Sequence, residues 1–213
     1  MNRIVILFKK ILIELKIHYY KFKFIFIKPA YPVNQDSKVH IHLGCGEINS
    51  PEYINVDSRP FPHIHHIHDV CELSIFKNEF ADLIYASHTL EHISMLKLTQ
   101  VLCEWKRVLK KGGILRIGVP NFDTISNIYK DNNHNIEAIW MPLMGGQEYP
   151  NNFHYAVFNN NYLTGLLLKC GFTEVREWDP EFVDNHKFDD WTSAKYEVNG
   201  KIYPISLNLE AVK

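Results

Sequence analysis

Two glycines and an aspartate in the first quarter of the chain have the types and spacing of a nucleotide-binding site. Gly44 and Gly46 follow a short apolar stretch, and Asp57 ends the next one. Glycine has no Cβ and tolerates positive φ, so a ligand can approach its backbone closely. A carboxylate at the tip of the neighbouring strand can accept hydrogen bonds from two ribose hydroxyls. The pattern therefore predicts that 44–57 binds a ribose-containing ligand.

The run FADLIYASHTLEHI at 80–93 predicts another strand of the sheet that positions this site. The acidic Asp82 opens an apolar strand, which ends at Ser87 and His88. A polar turn into a helix is expected to follow.

The next segment, 94–110, predicts an amphipathic helix. Its apolar side chains recur at spacings of three and four, which is the period of one helix face. They are Met95, Leu98, Leu102, Trp105 and Leu109. Gly112 and Gly113 are expected to end this helix. Residues 114–119 then predict a buried fifth strand.

These runs resemble the class I S-adenosylmethionine (SAM)-dependent methyltransferases, in particular the methyltransferase type 11-like group. Its first strand ends in LGCG, as 43–46 do here, and RVLKKGG within 104–122 is similar to its RVLKPGG joint. LLLKCGFTEV at 166–175 resembles its late helix, GF turn and sixth strand. The resemblance implies an α/β fold with a Rossmann-like seven-stranded sheet, helices on both faces and an antiparallel last strand. It also implies a methyltransferase enzyme with SAM as cofactor.

The same resemblance implies roles for individual residues of the cofactor site. Asp57 would bind the ribose hydroxyls, Asp69 the adenine amino group, and the backbone of Val70 or Cys71 the ring nitrogens. The expected cofactor-binding residues are Gly44, Cys45, Gly46, Asp57, Asp69, Val70, Ser87 and His88. Cys45 is expected to be a small packing residue of the loop, in preference to a nucleophile.

One departure from the family pattern lies between the first two strands. Only 47–52 separate them, and Pro51 lies in this gap, so a crossover helix of about a dozen residues does not fit. The third glycine of a GxGxG pattern is also missing. Backbone amides and Asp57 are therefore expected to carry more of the cofactor recognition, as in a subgroup with the same shortened arrangement.

The histidine-rich run at 63–68 has two interpretations. Imidazoles at alternate positions share one face of a strand and could bind a metal. Alternatively, the run is the third strand of the sheet and ends at Asp69. The strand is favoured, because cysteine or carboxylate ligands at zinc-like spacing are absent.

Methyl transfer needs a base only where the acceptor has a proton to lose. His88 is the first candidate, because the resemblance places it at the active-site mouth, and imidazole titrates near neutral pH. The alternative is that His88 only orders the turn. Glu91 and His92 are expected to tie the helix start to the glycine loop.

A lid over the substrate is expected at about 132–158. Gly145 and Gly146 offer hinge freedom, and aromatic side chains offer flat surfaces for a sugar ring or another amphipathic acceptor; these are Trp140, Tyr149, Phe153 and Tyr155. His154 is the second candidate base, unless it only pins the lid. After the lid, Asn199 and Gly200 predict a hairpin, which we expect at the sheet edge.

Composition fits one α/β domain. The chain has 213 residues, 46% of them hydrophobic, which is enough to cover both faces of a sheet. The formal net charge of −1 argues against non-specific nucleic-acid binding. Four cysteines without CxxC spacing are expected to be reduced core thiols in a cytoplasmic protein.

The segment 1–36 is expected to be an N-terminal basic and apolar arm with a linker, followed by a catalytic domain at 37–213. No apolar run approaches the ~20 residues of a membrane span, and no secretory signal is evident. Residues 1–28 either lie on an anionic membrane surface or pack on the catalytic domain or on a second subunit, as in a homodimer.

The subgroup that the chain resembles is associated with surface-glycan or lipid-linked glycan biosynthesis. The resemblance therefore implies O-methylation of a sugar. The alternatives are a small-molecule or lipid-quinone methyltransferase with the same cofactor site, and a non-catalytic SAM-binding or scaffolding subunit.

Overall fold

The computed structural model describes residues 3–27, 29–149 and 151–213, but not the side chains of 3–10, Ile13, Ile17, Lys21 and Ile25. The helices are α1 (Arg3–Phe26), α2 (Leu98–Val108), α3 (Phe122–Asp131), α4 (Trp140–Met144) and α5 (Asn160–Lys169). The strands are β1 (His40–Leu43), β2 (Ile54–Asp57), β3 (His66–Ile67), β4 (Ala81–Ser87), β5 (Leu109–Pro120), β6 (Glu174–Glu177), β7 (Lys195–Val198), β8 (Lys201–Pro204) and β9 (Ser206–Val212).

Seven strands form one mixed sheet in the order β3-β2-β1-β4-β5-β9-β6. The first five strands along the chain are parallel, and β9 runs antiparallel to both β5 and β6. The predicted α/β sheet with flanking helices and a reversed last strand is confirmed.

The predicted hairpin at Asn199 and Gly200 is present, and both residues have positive φ, as a tight turn requires. Its predicted place at the sheet edge was wrong. Strands β7 and β8 form a separate two-stranded sheet, and β9 lies inside the main sheet between β5 and β6. Ile205 and Tyr203 pack in a small core with α3, which draws the hairpin away from the main sheet.

The amphipathic helix is confirmed as α2, and its buried side chains lie on the face that packs on the sheet. These are Leu98, Val101, Leu102, Trp105 and Val108. The predicted boundary at Gly112 is displaced, because the chain becomes extended at Leu109 and continues as β5. Met95 precedes the helix and is exposed.

The other face of β4 carries Leu83 and Tyr85, which pack against Trp178 and Phe188 of the loop after β6. Alternate residues of a strand point to opposite faces, so β4 is buried on both. The central strands therefore have little freedom to shift, and they fix the position of the turns at their carboxyl ends.

No helix lies between β1 and β2, as the short gap predicts. The glycine loop instead bends back on β2, because the amide N–H of Gly44 donates to the carbonyl oxygen of Val56 at 2.8 Å. The loop is held by the neighbouring strand and not by a helix behind it.

The N-terminal arm forms α1, in which the side chains of Leu12, Leu15 and Phe22 are exposed. Among the described residues, no helix has the length and apolar character needed to cross a bilayer.

The contact of Gly44 with Thr89 is the tightest constraint on the glycine loop. Gly44 has φ +66°, and a Cβ built on it would lie 2.3 Å from Thr89 Oγ1. Gly112 also has positive φ (+73°), but a Cβ there would meet nothing within 4 Å. Comparing a substitution at Gly44 with one at Gly112 therefore separates the cost of backbone strain from the cost of steric overlap.

We expect Gly112→Ala to cost about 1–2 kcal/mol of unfolding free energy through backbone strain alone. Gly44→Ala should cost about 1–3 kcal/mol more, because the methyl group overlaps Thr89. Urea unfolding of both variants measures the difference. Thr89→Ala in the Gly44→Ala background should recover part of the loss, and equal losses in the two glycine variants would contradict the steric argument.

Candidate active site

A cavity of about 530 Å³ opens at the carboxyl ends of β1 and β4 and is bounded by the lid. It brings together six of the residues predicted for the cofactor site or for catalysis. They are Gly44, Cys45, Gly46, Ser87, His88 and His154. These residues come from three separate parts of the chain, and the fold brings them to one cavity.

The glycine loop forms one wall of the cavity, and most of its amides are already used. Besides Gly44, the amide N–H of Cys45 points to the carbonyl oxygen of Val56 at 3.4 Å. The Gly46 amide donates to Asp57 Oδ2 at 2.8 Å. Burial raises the pKa of the Cys45 thiol well above its usual value, which fits a packing role and not a nucleophile.

Asp57 ends β2 directly behind this loop and is 4% exposed. Its Oδ1 accepts a hydrogen bond from the Arg59 amide at 2.7 Å, while Oδ2 holds Gly46. Asp57 is not among the residues that line the cavity. In this arrangement its carboxylate positions the loop, and the Arg59 side chain lies between it and the lid.

Asp69 and Val70 also lie outside the cavity lining. Asp69 Oδ1 accepts from the Cys71 amide at 2.8 Å, and the Val70 carbonyl accepts from Trp105 Nε1 at 2.8 Å. Asp69 therefore closes the turn after β3, and Val70 fastens this turn to α2.

His88 follows β4 in a left-handed conformation, with φ +46°. Its Nε2 lies 2.7 Å from Ser206 Oγ, and Ser206 donates its hydroxyl proton to the Trp191 carbonyl at 2.6 Å. Nε2 therefore carries a proton and donates it to Ser206 Oγ. The other nitrogen, Nδ1, lies 3.2 Å from Glu91 Oε1.

Glu91 lies at the cavity wall, although it was expected to contact the glycine loop. It is completely buried in a short 3₁₀ helix, Leu90–His92, and lines the cavity. Neither carboxylate oxygen has a hydrogen-bond partner among the described residues. Burial alone would raise the pKa of Glu91, but contact with His88 and the nearby His92 and His154 lower it.

The expected tie of Glu91 and His92 to the glycine loop was wrong. Thr89 makes that link, with Oγ1 donating to the Leu43 carbonyl at 3.3 Å. Glu91 instead holds the lid, because its carbonyl accepts from the Tyr155 amide at 2.8 Å. His92 Nδ1 lies 3.0 Å from the Phe153 carbonyl. Thr89 therefore contacts the glycine loop, and the residues that follow it contact the lid.

His154 faces His92 from the lid, with ring centroids 4.9 Å apart. Its Nδ1 donates to the Pro142 carbonyl at 3.1 Å. Burial lowers the pKa of His154, which keeps the ring neutral near neutral pH. In both His92 and His154, Nδ1 is thus bonded to a backbone carbonyl, and Nε2 is left to contact a ligand.

The histidine-rich run forms the short strand β3, as the strand interpretation predicts. Its rings have different partners. The His63 ring bonds to the Gly46 carbonyl at 3.1 Å, and His65 Nδ1 accepts from the Asn55 amide at 3.0 Å. His63 therefore braces the glycine loop, and His65 braces β2.

Aromatic rings complete the cavity wall, and two of them were not predicted. Tyr149 of the lid stacks on the Arg59 guanidinium, 4.7 Å from ring centroid to carbon. Trp191 lies 5.9 Å from the His88 ring, and Tyr196 lines the same side. Trp191 and Tyr196 follow the last helix by more than 20 residues, so no local pattern connects them to the site.

Comparison with known proteins agrees with this architecture. Residues 43–117 match the family model described as a methyltransferase domain. This match supports a SAM-dependent methyltransferase. No curated protein sequence matches the chain.

Three solved structures with a similar fold are described as SAM-dependent methyltransferases. A SAM-dependent methyltransferase from Archaeoglobus fulgidus has a TM-score of 0.53 at 16% identity, covering 94% of each chain. One from Methanosarcina mazei has a TM-score of 0.53 at 17% identity, covering 85% of this chain and 94% of that one. A Thermotoga maritima enzyme has a TM-score of 0.51 at 16% identity, covering 83% and 82%. At these identities the likeness concerns the fold.

The cofactor is SAM, and the cavity fits it. The two glycines at positive φ leave a cradle without side chains, and a Cβ on Gly46 would lie 3.0 Å from Arg59 Nη2. Ser87 lines the cavity beside them, and its buried hydroxyl makes no hydrogen bond to the described residues. A bound polar ligand would satisfy this hydroxyl.

The role of Asp57 can be tested through SAM affinity. Asp57→Ala removes charge-assisted hydrogen bonds of about 1.5 to 3 kcal/mol, and Gly46 loses its anchor. We expect SAM binding to weaken by roughly 10- to 100-fold in calorimetry. Asp36→Ala, in the linker, is the control and should bind SAM normally. Unchanged affinity in a folded Asp57→Ala protein would contradict the assignment.

Proposed function

We propose that this methyltransferase transfers the methyl group to a hydroxyl of a sugar, in surface-glycan or lipid-linked glycan biosynthesis. The observation that carries the hydroxyl acceptor is the pair formed by His88 Nδ1 and Glu91 Oε1, 3.2 Å apart at the cavity wall. A hydroxyl must lose its proton when it is methylated, and this pair can take one.

The chain's own groups divide the reaction between them. When bound, SAM would supply a methyl group on a positively charged sulfur, which would leave with the electrons of the broken C–S bond as the acceptor oxygen forms the new C–O bond. The hydroxyl proton passes to Nδ1 of His88, because Nε2 already carries the proton donated to Ser206. The Glu91 carboxylate then stabilises the imidazolium.

The cavity wall favours a sugar among hydroxyl acceptors. Tyr149, Trp191 and Tyr196 offer ring faces, on which the C–H groups of a sugar can pack. His154 and Glu91 stand opposite and can accept hydrogen bonds from further hydroxyls. His154 is proposed to orient the acceptor from the lid. A lipid quinone would leave these polar groups unpaired, so it is the second candidate.

An acceptor screen tests the proposal. Full-length protein is incubated with methyl-labelled SAM and alkyl glycosides, sugar nucleotides or reduced quinones, and label in the product is measured. We expect transfer to a glycoside or sugar nucleotide, and loss of transfer when the methylated hydroxyl is replaced by hydrogen. Transfer only to quinols would support the second candidate. SAM binding without turnover on any acceptor would support a non-catalytic subunit.

Removal of the base should separate catalysis from cofactor binding. We expect His88→Ala to lower kcat by about 10²- to 10⁴-fold, because the proton moves in the transition state. SAM should still bind, because proton removal belongs to the transition state and not to cofactor recognition. His134→Ala, at an exposed position outside the cavity, is the control. Near-normal turnover in His88→Ala would show that His88 is not the base.

The N-terminal arm is proposed to hold the enzyme on the cytoplasmic face of an anionic membrane. Seven basic residues and one acidic residue give 1–28 a net charge of +6, although the whole chain carries −1. Exposed apolar side chains recur at spacings of three and four along α1; these are Leu12, Leu15, Tyr19, Phe22 and Phe26. Basic and apolar groups on one helix are typical of membrane-surface helices. Lys28 and the side chains of Lys9, Lys10 and Lys21 lie outside the described residues.

Charge reversal on the arm tests this proposal in the full-length protein. Lys16→Glu with Lys23→Glu should weaken binding to phosphatidylglycerol vesicles at least about 30-fold, since each lysine contributes about 1 kcal/mol. High salt should have the same effect on the unmodified protein. Lys77→Glu with Lys111→Glu makes the same charge change on the catalytic domain and is the control. Equal co-sedimentation of both variants would favour packing of the arm on a second subunit.

A further inference from the structure

We propose that Glu91, His92 and His154 bind a divalent transition-metal cation of the Zn²⁺ type at the acceptor end of the cavity. One ligand atom from each residue lies within 4.8 Å of the other two. Bonds of about 2.0–2.2 Å to one zinc ion place ligand atoms roughly 3.3 Å apart, so small side-chain rotations would close the site. Two imidazoles and one carboxylate are a set that such cations prefer.

The buried carboxylate is the strongest independent sign of a missing partner. Glu91 is 0% exposed, and both of its oxygens lack a hydrogen-bond donor among the described residues. An uncompensated buried carboxylate costs several kcal/mol, so native proteins rarely keep one. His88 lies beside one oxygen only, at 3.2 Å from Oε1. A cation between Glu91 and the two imidazoles would compensate the charge.

The imidazoles are oriented as metal ligands usually are. Metal-binding histidines donate the second ring N–H to a carbonyl or carboxylate, which fixes the tautomer and the ring. His92 Nδ1 is 3.0 Å from the Phe153 carbonyl, and His154 Nδ1 is 3.1 Å from the Pro142 carbonyl. In both rings Nε2 then carries a free lone pair. The same backbone contacts hold the lid on the turn 90–92.

Three protein ligands leave at least one coordination position open, which is the arrangement of catalytic sites. Here the inference rests on the proposed function: an acceptor hydroxyl in the open position would be more acidic, because the cation stabilises the alkoxide. Its proton would still pass to Nδ1 of His88, and neighbouring sugar hydroxyls could chelate the same ion. The ion would also fix the lid, since His154 belongs to the lid and His92 does not.

Metal binding can be tested without an acceptor. Full-length protein freed of metal by a chelator is titrated with Co²⁺, followed by visible absorption, and with Zn²⁺, followed by calorimetry. We expect one ion per chain. His92→Ala and His154→Ala should each weaken it at least about 10- to 100-fold, and His134→Ala should not. Glu91→Gln keeps the size of the side chain and should weaken binding similarly.

SAM calorimetry on each variant shows whether the domain is folded. No binding of either ion by the unmodified protein would overturn the proposal, as would unchanged affinity in the His92, His154 and Glu91 variants. Binding lost in these variants, together with methyl transfer that a chelator does not affect, would keep the site and refute its catalytic role. Failure of the sugar screen leaves the titration result standing, so the two proposals fail separately.

Discussion

The close packing of Thr89 on Gly44 is the contact on which the site depends. Thr89 Oγ1 donates to the Leu43 carbonyl. Any side chain on residue 44 would overlap Thr89. The turn after β4 is thereby fastened to the turn after β1. Val56 fastens the same loop to β2 through the Gly44 amide. Three strand ends that have no local reason to meet are held in one rigid edge.

This attachment determines where the next residues go. Two positions after Thr89 the chain buries Glu91, and a buried charge must find compensation. The Glu91 backbone binds the lid through Tyr155, while its side chain faces His88. One residue thus connects the rigid edge, the candidate base and the lid. Thr89, which packs on Gly44 at the cofactor end, and Glu91, at the acceptor end, therefore belong to the same turn.

Local pattern explains why the cofactor half of the site could be predicted. The strand before Gly44, the acid at Asp57 and the strand before His88 are each visible within about 15 residues of sequence. The acceptor half has no such signal. Ser206, which sets the tautomer of His88, lies 118 residues further along the chain. Glu91 was expected to serve the glycine loop, because sequence shows that a residue is near a turn but not which neighbour it meets.

The same division applies to the rest of the fold. Strand β9 runs from the hairpin back into the middle of the sheet, between β5 and β6. Trp191 and Ile205 lie on the segments that precede β9, and both line the cavity. The acceptor wall can therefore change with the C-terminal segments while the edge that carries Gly44 and Asp57 stays fixed. A cation held by Glu91, His92 and His154 would join the turn after β4 to the lid, at the point where methyl transfer needs the two aligned.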